Sequence, residues 1–136
     1  MCVKSSREWA VIAAESAAEK KAENVMAIEV AELFVVTDFF VIATGRTDTQ
    51  VRAIADEVER GLLEKGGIKP IGREGASESK WILLDYGDLV VHVFQPRERE
   101  FYRLEKLWSD APRIELPAEI VNATDEVLHV EQPIEY

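Results

Sequence analysis

The stretch WILLDYGDLVVHVFQPREREFYRLEKLW, Trp81 to Trp108, decides the fold, because two apolar runs flank Tyr86-Gly87-Asp88 and lead straight into an amphipathic segment. With Gly87 and Asp88 as a two-residue hairpin turn, Tyr86 stands opposite Leu89. Period-two alternation then places Ile82, Leu84, Tyr86, Leu89, Val91 and Val93 on one side, a core face. The other side carries Trp81, Leu83, Asp85, Val90, His92 and Phe94. Large aromatics mixed with one acid and one imidazole suit a protein-docking surface better than a solvated sheet face.

Working outward, Ser5 or Ser6 caps a first helix running to about Glu23, with Glu8 placed to close a capping box on Ser5. A β-rich segment, Val25 to Glu32, follows. Asp38 to Thr44 is almost continuously apolar, as an inner strand covered on both faces would be, and Gly45 ends it. Thr47 or Asp48 caps a second helix with Val51, Ile54, Ala55, Val58 and Leu62 at three- and four-residue spacing, stopped by Gly66-Gly67. After Pro70 comes a short edge strand, then a surface loop over Arg73 to Ser79 in which Gly75 suits a positive-φ turn.

Gln95-Pro96 breaks the last strand, and a third helix is expected over Arg97 to Ser109 with Phe101, Leu104, Leu107 and Trp108 inward. That phase leaves Arg97, Arg99, Tyr102 and Arg103 on or near the outer flank, where Arg99 and Tyr102, three apart, extend the contact patch. The order is α-β-β-α-β-β-β-α, an α/β fold with a mixed sheet and helices packed on it. Residues 1–112 form one domain. Residues 113–136, with six acids against one base and interrupted by Pro117 and Pro133, read as a tail, either disordered or laid over the body by Ile114, Leu116, Ile120 and Val121. The run IVNATDEVLHVE within it could instead add a strand to a neighbouring chain.

Composition sets limits. At 136 residues and 47% hydrophobic content, one core suffices. No long apolar run marks a signal peptide or a membrane span, and the single cysteine, Cys2, allows no internal disulfide, so a cytoplasmic protein is expected. The net charge of −10 opposes direct nucleic-acid binding, which needs clustered Lys and Arg, and points to a basic partner. The sequence leaves a homodimer open.

The runs TDFFVIATG (Thr37 to Gly45), QVRAIADEVE (Gln50 to Glu59), WILLDYGDLVVHVF and FYRLEKLWSD, in this order and spacing, resemble the ribosomal silencing factor family, also called Iojap-like, over roughly Trp9 to Asp110. The resemblance implies a nucleotidyltransferase-like fold and a repressor of translation under nutrient limitation. Such a factor binds large ribosomal subunit protein fourteen and blocks joining of the small subunit. A further reading is a housekeeping factor that acts in assembly of the large subunit.

An enzyme is the competing class, since the implied fold belongs to a catalytic superfamily, yet fold does not carry function. Enzymes of that kind place a Gly-Ser pair near two strand-borne carboxylates, whereas here Arg46 follows Gly45. On a helix, Glu57 and Glu59 point about 200° apart and cannot converge on one metal ion. His92 and His129 lack a ligand set, no G-x-S-x-G elbow occurs, and the Gly72 to Gly75 stretch lacks the helix that would aim amides at a phosphate. No catalytic residue, metal or cofactor is expected. The residues expected to carry function are Trp81, Leu83, Asp85, Val90, His92, Phe94, Arg99 and Tyr102, all as partner contacts.

Overall fold

A computed structural model describes residues 5–30, 37–75, 79–107, 111–117 and 120 of the chain. Helix α1 (Ser6–Glu19) starts in the expected capping box: the Ser5 hydroxyl accepts from the Glu8 amide, and the Glu8 carboxylate accepts from the Ser5 amide at 2.8 Å. It stops four residues before the expected end. Lys21 takes a left-handed conformation (φ 63°) that turns the chain into β1 (Glu23–Glu29). Good helix formers in Lys20 to Glu23 hide this turn from propensity, and tertiary pairing overrides them.

Strand β2 (Phe39–Thr44) is buried at every position, as its unbroken apolar run requires. Helix α2 (Asp48–Gly61), capped by Thr47, continues into one π-helical turn over Leu62–Gly66 and is terminated by Gly67 at φ 71°. Then come β3 (Gly72–Glu74), β4 (Trp81–Asp85), β5 (Leu89–Phe94), α3 (Pro96–Tyr102) and α4 (Leu104–Leu107). The sheet order is β1-β2-β5-β4-β3; β2 and β5 run parallel, and every other pairing is antiparallel.

The sheet buries both faces, unequally. Helices α1 and α2 cover one, where Val51, Ile54, Ala55 and Val58 meet Val41, Ile82, Leu84, Leu89, Val91 and Val93 in a single core. The six residues assigned from alternation to the hairpin's core face, Tyr86 among them, all lie there. The opposite face holds a smaller cluster of Ile28, Val30, Phe40, Ile42, Phe94 and Ala111, with Leu104 packed against it. The described residues therefore close only part of this second face.

The third helix corrects the sequence reading. Arg103 sits at φ 48° in a left-handed cap, so one helix over Arg97 to Ser109 becomes two short ones, α3 and α4. The reset reverses which side faces in: Arg99 is buried and its Nη1 donates to the Thr44 hydroxyl at 2.7 Å, while Phe101 is 76% exposed. Leu104 points inward as expected; the Leu107 side chain and Trp108 lie outside the described residues. After Pro112 the chain lies against the outer edge of β1. The Glu29 amide donates to Pro112 and the Ile114 amide to Ala27, and Ile114, Leu116 and Ile120 are buried in the main core. Val121 and the IVNATDEVLHVE run from there on lie outside the described residues.

Candidate functional site

The hairpin forms in the expected register. Tyr86 N–H donates to Leu89 O at 2.8 Å, and the cross-strand pairs are Trp81 with Phe94, Leu83 with His92 and Asp85 with Val90. Gly87 takes φ 86°, and one Asp85 carboxylate oxygen accepts the Gly87 amide at 2.8 Å, fixing the turn from its own strand. Trp81, Leu83, Asp85 and Val90 are half-buried, as is consistent with a face that is neither core nor solvent.

At the Trp81 end, aromatic rings stack in series. Trp81 lies on Phe94 with centroids 4.8 Å apart and meets Tyr102 of α3 at 4.5 Å; Tyr102 in turn meets Phe101 edge-on at 5.0 Å. The indole N–H donates to His92 Nδ1 at 3.1 Å, and the His92 ring meets Phe40 edge-to-face at 4.9 Å. Burial pushes the His92 pKa down to about 4, so the ring is neutral near pH 7. With Nδ1 accepting from the indole, its proton resides on Nε2.

At the turn end the same face is open. A groove of about 420 Å³ is lined by Leu83, Asp85, Gly87, Val90 and His92 of the hairpin together with Thr37, Phe40 and Ile71. Most of its surface is apolar, and Ile71, 75% exposed, forms part of its rim. Parallel pairing sets Phe40 level with Val90, and the Ile71 amide donates to Asp85 O at 2.6 Å, so β2 and the approach to β3 supply the groove's sides.

Of the eight residues singled out from sequence, four line this groove: Leu83, Asp85, Val90 and His92. Trp81 and Tyr102, the latter 45% exposed, form the adjoining aromatic shelf. Two are corrected as surface contacts. Phe94 is fully buried, in one cluster with Ala111 and with Leu104 packed against it; Arg99 is buried against Thr44 because α3 turns the other way. His92 is itself 5% exposed, set into the groove wall below its rim. Sequence reasoning missed Thr37, Phe40 and Ile71. Alternation along β2 could have found Phe40 once β2 was paired with β5; no local pattern signals the other two.

The carboxylates weighed for an enzyme are engaged elsewhere. Glu57 pairs with Arg60 at 2.7 Å, and Glu59 and Asp56 both pair with Arg73. Among the described residues, no cluster of His, Cys, Asp and Glu is arranged to hold a metal ion, and no helix is long and apolar enough to cross a membrane.

Comparison with known proteins agrees with this architecture. The family model described as "Ribosomal silencing factor during starvation" matches residues 3–133. A ribosomal silencing factor from Halalkalibacterium halodurans is 42% identical over 82% of this chain and 95% of its own length. One from Bacillus subtilis is 44% identical over 77% of this chain and 88% of its own length. A crystal structure from Chromobacterium violaceum superposes with a TM-score of 0.73 at 32% identity, covering 80% of this chain and 88% of the other. With fold, hairpin and sequence in agreement, the chain belongs to the ribosomal silencing factor family.

Proposed function

We propose that this chain is a cytoplasmic repressor of translation that docks through the hairpin groove onto large ribosomal subunit protein fourteen and sterically keeps the small subunit from joining. The observation that carries this reading is the open, mainly apolar groove beside Trp81, on a sheet face that the described helices cover only at the other end. Such a surface, flanked by aromatic rings and one carboxylate, has the composition of an interface centre and its rim. The charge of −10 favours a basic protein over a phosphate backbone as the partner.

No covalent step is needed. A bound protein of this size excludes the small subunit by occupying shared surface, provided the contact buries on the order of 1,200 Å² or more. The test is subunit reassociation followed by sedimentation. Added wild-type protein should hold the subunits apart, and Trp81→Ala at equal concentration should let them join; wild-type protein that leaves reassociation intact refutes the reading.

A further inference from the structure

Among the described residues, two buried polar atoms of the groove lining have no hydrogen-bond partner. His92 Nε2 and Thr37 Oγ1 are both closed to solvent, and both residues line the same opening. Their condition is unusual, because a buried donor or acceptor is ordinarily paired and leaving one unpaired is unfavourable. For His92 the chemistry is fixed from the other side of the ring. The Trp81 indole N–H occupies Nδ1, so the proton sits on Nε2, and that atom is a donor with no acceptor among the described residues.

The His92 ring is not set in a loose core. His92 is held between β2 and β4, edge-on to Phe40 and stacked at 6.0 Å on Phe94, and its strand pairs in full register on both sides. An apolar residue in its place would pack there without an orphaned donor. His92 is also one of the residues that line the groove.

We propose that these two atoms are the polar contacts reserved for the docking partner: His92 Nε2–H donates to an uncharged oxygen of the segment that enters the groove, and the Thr37 hydroxyl pairs with a second polar group of that segment. The inference rests on the docking reading above and adds to it a chemical specificity. The apolar floor supplies area, which many side chains could fill, whereas an oriented N–H donor rejects any segment that sets a methyl or an ammonium group against it. Because both atoms are out of reach of water in the free chain, the groove wall must yield as the segment enters. Trp81 thereby gains a second task, holding the His92 tautomer that makes the ring a donor on the groove side.

The experiment measures binding of wild type, His92→Phe and Thr37→Val to purified large subunits, alongside nitrogen-15 spectra of the His92 ring, free and with purified ribosomal protein fourteen. Each substitution should weaken binding about tenfold, the worth of one well-placed hydrogen bond. The free protein should show the Nε2–H tautomer, and the complex should protect that proton from exchange. Thr37→Val is nearly isosteric and keeps the test open should His92→Phe fail to fold. Wild-type affinity in both variants, or a proton found on Nδ1, overturns this inference and leaves docking standing. Failure of the wild-type protein to bind large subunits removes both.

Discussion

The Trp81 ring joins three partners at once, Phe94 beneath it, Tyr102 beside it and His92 at its N–H, so its removal is felt differently by fold and by binding. As an anchor at an interface centre, Trp81→Ala should weaken large-subunit binding by about 2 kcal/mol or more, roughly thirtyfold, measured by equilibrium sedimentation. His92 makes a prediction of its own. Its folded pKa of about 4 lies below the ordinary value of 6.5, so between these the unfolded chain holds a proton that the folded chain refuses. Its contribution is therefore complete above pH 6.5 and is lost as pH falls toward 4, by roughly 3 kcal/mol in total. Urea unfolding of wild type and His92→Phe across this window checks it: the variant should lack that share of the pH dependence.

Short elements held by glycines and caps set where these residues stand. Gly75 has φ 87°, and a Cβ built there would lie 1.9 Å from the Trp81 carbonyl oxygen, so backbone passes backbone at the entry to β4. Gly75→Ala should destabilise the protein by about 3 kcal/mol in denaturant unfolding, from strain and overlap together. The hairpin was legible in the sequence because alternation and the Gly87 turn agree on one register, and a one-residue slip would have turned its core face outward. Helices α1 and α2 were legible from their caps and from the spacing of Val51, Ile54, Ala55 and Val58. The third helix was not. Its apolar spacing favours Phe101 as an inward residue, but the left-handed Arg103 breaks the period, and the Arg99–Thr44 contact is a tertiary event that no window of neighbouring residues contains. Half of the candidate site emerged for the same reason: residues on the hairpin followed from local alternation, whereas Thr37 and Ile71 reach the groove only through sheet order.

At the scale of the molecule, the described residues form a five-stranded sheet sealed on one side by α1 and α2 and only partly on the other. Its acids outnumber its bases 26 to 16, which sets the kinetics of meeting a basic partner more than the final strength. Raising ionic strength from about 0.05 to 0.3 M should slow association several-fold and leave dissociation nearly unchanged, readable by surface plasmon resonance on immobilised large subunits. The central claim is that the open part of the second sheet face is the docking surface. Its most direct test places a photo-crosslinking amino acid at Leu83 in the groove, or at Leu63, exposed after α2, and irradiates each with large subunits. Crosslinking to ribosomal protein fourteen from Leu83 but not from Leu63 is the predicted result; crosslinks from Leu63 alone would contradict the account.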